Sequence, residues 1–186
     1  MSKSKGNVVN PLDLTSKYGT DALRMALVVG NTPGTDLSLQ EDKVKAYKHF
    51  ANKIWNITRF VLSNTESFDG TKPEEITPED TVLLKELDEI IKDVTLDMDN
   101  FRFYLSAEKI YHYVWHRFAD KIIEESKDKL KSEDNKIKLS AEYTLRHILE
   151  ESLKILHPFM PFITEEIWGY LPKDEKRLLM VTGWPK

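Results

Sequence analysis

The first seven residues, MSKSKGN, carry two lysines, two serines, a glycine and an asparagine, with no apolar pattern around them. These residue types suit phosphate. A lysine ammonium can meet negative charge as it develops. Small polar neighbours and Gly6 let the backbone come close to phosphate oxygens. A second polar group lies further on. Lys45, Lys48, Asn52, Asn56 and Arg59 recur every three or four residues, so on a helix they form one stripe. Trp55 sits beside it, one turn from Asn52 and Arg59. Amides that pair with base edges, an arginine and a flat ring suit unstacked nucleobases. The lysines suit phosphates, which hold register without reading sequence. Plainer uses stand beside these: Trp55 as a core or boundary residue, Asn52 and Asn56 as partners of buried backbone ends.

Other groups point to less. Lys127, Lys129 and Lys131 close a helical stretch, either as phosphate contacts or as a solvated end that suits the helix dipole. His112 and His116 have the spacing of a metal pair, but no third ligand stands near them, and no metal site is expected. His157, before Pro158, reads as packing or capping at a helix end. No Ser-His-Asp constellation and no Gly-rich nucleotide fingerprint is found. There is no cysteine, which excludes thiol chemistry and fits the cytoplasm. No apolar h-region opens the chain, and no apolar run approaches the roughly 20 residues of a membrane helix.

The elements that must position these groups are helical. With 186 residues, 40% of them hydrophobic, the chain can hold one domain and a small appendage. PLDLTSKYG and TDALRMALVVG read as two short helices stopped by Gly19 and Gly30. Ser38-Leu39-Gln40-Glu41 has the pattern of a capping box. Behind it a long helix runs to about Leu62, with Val44, Tyr47, Ala51, Ile54, Thr58 and Val61 on one face. Thr77-Pro78 opens a second helix carrying Leu83, Leu87, Ile90, Val94 and Met98. A third spans about Leu105 to Leu130, and a fourth uses Leu145, Ile148, Ile155 and Leu156 before Pro158 ends it. Pro161 opens a short fifth through Trp168 and Leu171. RLLMVTGWPK is expected to be a short strand or an unpaired tail. The expected fold is therefore all-α, an antiparallel helical bundle over 38–172, with an appendage over 1–37 and a tail over 173–186. Charge is uneven: residues 66–100 hold three Lys/Arg against twelve Asp/Glu, whereas 1–65 hold nine against five, so a polyanion would avoid the former segment.

MSKSKGN followed by PLD and YGTDALR resembles the Lys-Met-Ser-Lys-Ser loop of class I aminoacyl-tRNA synthetases and the helices after it. Met1, Ser2, Lys3 and Ser4 match the loop's last four positions. The resemblance implies that this loop closes over ATP, with Mg2+, and that Lys3 meets the charge moving onto the departing pyrophosphate. FANKIWNITRFVL (50–62), VWHRFADKIIEESK (114–127) and LHPFMPFITEEIW (156–168) resemble the anticodon-binding helices of the valine-specific members; the isoleucine and leucine members have related helices. Ala119, Asp120, Lys121 and Ile122 depart from the Cys-Asp-Trp-Tyr usual there. The family places an anticodon contact near Arg59. By this resemblance the partner is tRNA(Val), with valine and ATP as substrates of the whole enzyme. The other ATP motif, His-x-Gly-His, is absent, so this chain is expected to be an inert piece of a monomeric ligase. A helical protein-interaction domain without an RNA role is the other function class the residues allow.

Overall fold

A computed structural model of the chain describes residues 10–32, 34–35, 39–172 and 177–185. Every regular element among the described residues is helical. Two short helices come first, α1 (Pro11–Tyr18) and α2 (Thr20–Val28). Asn10 caps α1 by accepting from the Leu12 N–H, and Pro11 takes the first helical position. Gly19 turns the chain between the two helices at φ 92°, a conformation costly for any residue with a Cβ.

The long helix α3 (Glu41–Asn64) buries Val44, Tyr47, Ile54, Thr58 and Val61 of the face expected of it, with Phe50 and Ile57 added, while Ala51 is only partly buried. Its start differs from the expected capping box. Gln40 is the N-cap, without a side-chain cap, and Ser38 lies outside the described residues. The Glu41 carboxylate does not reach back to the cap. It accepts from the Lys17 ammonium and from the Tyr18 hydroxyl at 2.6 Å, because a cation on the neighbouring helix is the stronger partner.

Helix α4 (Pro78–Asp99) begins at the expected cap, where Thr77 Oγ1 accepts from the Asp80 N–H at 3.3 Å. The third expected helix is continuous but not uniform. It runs as α5 (Phe103–His112), a stretch over Tyr113–Ile122 with wider i→i+5 winding, and α6 (Ile123–Leu130). Buried Ile110, Val114, Phe118 and Ile122 recur every four residues. A turn wider than the 3.6 residues of an α-helix keeps such a row on one face.

Helix α7 (Asn135–Leu156) is the centre of the molecule: 13 of its 22 residues are buried, and it packs against α3, α4, α5, α6 and α8. Helix α8 (Pro161–Tyr170) follows after the turn at Pro158. Short turns join α4 to α5 and α6 to α7, which makes those neighbours antiparallel. The end is not a strand over its described residues 177–185. A 3₁₀ turn, Leu179–Val181, docks there. Glu165 accepts from the Leu179 N–H at 2.8 Å, and the Trp184 indole N–H donates to Thr95 Oγ1 at 2.8 Å. Glu165 thereby satisfies a backbone donor that a neighbouring strand would otherwise have to pair. No helix of the described residues is long and apolar enough to cross a membrane.

Candidate nucleic-acid interface

Lys45, Lys48, Asn52, Asn56 and Arg59 are all exposed on α3, on the side away from its buried stripe. The stripe spans roughly 20 Å at the α-helical rise, and its two ends meet different surroundings. At the upper end the Lys48 ammonium donates to the Lys17 carbonyl at 3.3 Å and lies 5.9 Å from the Tyr18 ring. That lysine is already engaged by α1. In the middle, Asn52 and Asn56 satisfy no buried backbone group among the described residues.

The lower end opens on a groove of about 620 Å³, walled by Trp55, Arg59, Leu62, Glu66, Arg146 and Tyr170. Trp55 is half-buried. It packs against the core and meets the exposed Tyr170 ring edge to face, with centroids 5.7 Å apart. One part of the ring closes the core, and another lines the groove. The Arg59 guanidinium, at the rim, has no partner among the described residues.

Arg146 and Tyr170 were not foreseen in this site. Arg146 is only 6% exposed, on the central helix. Its Nε donates to no acceptor among the described residues, and its nearest carboxylate is Glu150, 3.9 Å from Nη2. Burial lowers its pKa from the usual arginine range, opposed by the Glu150 charge. The group remains a cation at neutral pH. An unpaired buried donor costs about 1–3 kcal/mol, and more when charged. The legible signal was an arginine within the apolar pattern of TLRHILEESL.

The other candidate cations are mostly structural. Lys129 reaches buried Asp80 at 2.6 Å, and Ser140 Oγ donates to the other Asp80 oxygen at 2.6 Å. This corrects both readings of Lys129, phosphate contact and solvated end, because a buried carboxylate at the start of α4 needs a cation. Lys127 pairs with Glu124 at 2.7 Å. His112 and His116 lie side by side, centroids 5.4 Å apart, and no group of three potential metal ligands occurs among the described residues. His157 Nδ1 lies 2.7 Å from Thr164 Oγ1, a role at a helix end as expected. Met1, Ser2, Lys3 and Ser4 lie outside the described residues.

Residues 80–186, more than half of the chain, match the profile of the anticodon-binding domain of tRNA ligase. The chain belongs to this family of anticodon-binding domains. Residues 1–40 match tRNA synthetases class I (I, L, M and V), so the α3 stripe lies between the two matched segments. Over its whole length the domain is 40% identical to a valine–tRNA ligase of Aquifex aeolicus and 42% identical to one of Clostridium tetani. It spans 17% and 21% of those proteins, about a fifth of the length of the curated relatives it matches. Among solved structures it resembles LeuRS of Agrobacterium radiobacter K84 in a ternary complex with tRNA and LeuAMS. The TM-score is 0.76 at 22% identity, covering 100% of this chain and 22% of that one. It also resembles methionyl-tRNA synthetase of Mycobacterium tuberculosis bound by methionyl-adenylate, with TM-score 0.73 and 23% identity over 92% of this chain and 36% of that one. At such identities these two likenesses establish the fold alone.

Proposed function

We propose that the chain is the anticodon-binding portion of a valine–tRNA ligase, an enzyme that activates valine with ATP and transfers it to tRNA(Val) in the cytoplasm. The observation that carries the reading is the lower end of the α3 stripe. There an unengaged arginine and a half-exposed tryptophan face a groove on an anticodon-binding domain. Trp55 offers a stacking face, Arg59 and Asn56 offer hydrogen bonds to base edges, and Asn52, Lys48 and Lys45 continue toward the phosphates. In this reading residues 1–37 are the segment of the ATP loop, 38–172 the anticodon-binding bundle and 173–186 the tail. Within the loop, Met1, Ser2, Lys3 and Ser4 meet ATP with its Mg2+ in the whole enzyme, and Lys3 acts when charge reaches the leaving pyrophosphate. The domain acts as a monomer.

The test is a titration of tRNA(Val) and anticodon-swapped tRNA against the unaltered chain, Arg59→Ala and Lys92→Ala at two salt concentrations. Binding should weaken as salt rises, because phosphate contacts release counterions. Arg59→Ala should weaken binding about tenfold and reduce the preference for the valine anticodon. Lys92, exposed on the acidic helix α4, should change little. Equal losses in the two variants would remove the α3 stripe from the interface.

A further inference from the structure

Arg146 faces two grooves. Beyond the first lies a second, of about 790 Å³, between α7 and the turn after α3; Arg146, Glu150, Asp69, Tyr143 and His147 line it. Pro172 borders both grooves, so they are adjacent compartments with the buried guanidinium in their shared wall.

The second groove has the parts of a base site. Tyr143 and His147, four residues apart on α7, lie parallel at 12° with centroids 5.6 Å apart. Both rings are half-buried, and Phe68 braces Tyr143 edge-on at 6.5 Å. Flat, braced rings are what an unstacked base packs against. The polar lining mixes signs: an arginine that donates, and the Glu150 and Asp69 carboxylates that accept. A phosphate would gain from the arginine and be repelled by two carboxylates. A base edge carries acceptors and N–H donors together, so it satisfies both kinds of group.

We propose that this second groove holds a second unstacked nucleobase of the same RNA loop, its edge read jointly by Arg146 and Glu150. The proposal rests on the RNA reading given above. It adds a specificity-determining residue from the buried centre of the bundle to those on the α3 surface. The unpaired Nε then has its use as a donor held in place before the ligand arrives.

The test uses a panel of anticodon stem–loop RNAs with each loop base replaced in turn. These are titrated against the unaltered chain, Arg59→Ala, Arg146→Met and Arg146→Lys. Arg146→Met keeps an unbranched stem as far as the Nε position without the charge, and Arg146→Lys keeps the charge without the planar fork. Thermal unfolding of each variant is recorded alongside. Arg146→Met should lose about tenfold in affinity for the preferred hairpin and lose discrimination at one loop position, with the salt slope unchanged. Arg146→Lys should lose the same discrimination, and it decides the question if Arg146→Met does not fold. Arg59→Ala should lose discrimination at a different position. Unaltered preference in a folded Arg146 variant overturns the inference. So does a uniform loss across all hairpins with a salt slope smaller by about one, the mark of a phosphate contact. If the unaltered chain binds no hairpin at low salt, the RNA reading fails and the inference with it. If Arg146→Met loses discrimination while Arg59→Ala is silent, only the reading of the α3 stripe fails.

Discussion

Asp80 shows how one residue can bind three helices. Its carboxylate is fully buried at the first turn of α4, where negative charge suits the helix dipole. One oxygen takes the Lys129 ammonium from α6, and the other takes the Ser140 hydroxyl from α7. Ser140 in turn accepts from the Thr77 N–H at 3.0 Å. Asp80→Ala leaves a lysine and a serine facing a small cavity, and should lower the unfolding free energy by about 3 kcal/mol, measured by urea denaturation. Because the ammonium keeps some solvent access, Lys129→Ala should leave the worse orphan, the carboxylate, and cost at least as much. On the function proposed above, Lys3→Ala in the whole enzyme should lower the rate of valine activation far more than it weakens valine binding. The charge that lysine meets exists mainly in the transition state. Single-turnover kinetics beside equilibrium valine binding separate the two effects.

Helix α8 is held at both ends by other elements. At its start, Asp21 of α2 accepts from the Phe162 N–H at 3.2 Å and the Ile163 N–H at 2.7 Å. These are the orphan donors of a first helical turn, and Met160 at the cap supplies no side-chain acceptor. Arg24, also on α2, donates to the Pro158 and Phe159 carbonyls. At the other end Tyr170 stands against Trp55 in the first groove. Asp21→Ala should therefore cost about 1–2 kcal/mol, in the range of a lost N-cap. Hydrogen exchange should speed up first at the amides of Phe162 and Ile163. His157 belongs to the same junction, near Asp21, Arg24 and Glu165. Burial lowers its pKa below the ordinary 6.5, with the two carboxylates opposing. The folded state thus prefers the neutral ring. The stability this contributes is complete above pH 6.5 and is lost as pH falls through the lowered folded value. The Asp21 carboxyl is itself raised by burial, so the comparison with His157→Gln isolates the imidazole's part. Thermal midpoints should fall between pH 7 and 5 in the unaltered chain and fall less in His157→Gln, which retains an amide to bond Thr164.

For the molecule as a whole, far-ultraviolet circular dichroism should be dominated by helix, and a strand-dominated spectrum would contradict the fold. Acidic α4 and the more basic α3 both pack against the central helix α7. On the function proposed above, a polyanion would favour the basic helix α3 over the acidic helix α4. Valine-dependent pyrophosphate exchange by this chain alone should be undetectable. A lysine loop stabilises no transition state without a substrate site beside it. Measurable exchange in a clean preparation would show that the site requires less than supposed.

The helices and their inward faces were legible in the sequence, because apolar spacing reports directly which side of a helix avoids water. Thr77, Pro78, Gly19 and Pro161 marked ends for the same local reason: each acts through its own backbone. The MSKSKGN loop and the helical runs after α2 carried the family. The tertiary structure decided which polar residues were already engaged. Lys45 and Lys48 look alike in sequence, but only Lys48 meets the end of α1. Lys127, Lys129 and Lys131 look like one basic cluster, yet Lys129 answers a carboxylate 49 positions earlier. Ser38-Leu39-Gln40-Glu41 promised a local cap, and a cation on α1 outcompeted it for Glu41. The site's inner wall was least legible of all. Arg146 gains its meaning from burial among α3, α7 and the end of α8. Burial of a polar group depends on what packs over it, which is set by residues more than 80 positions away in the chain.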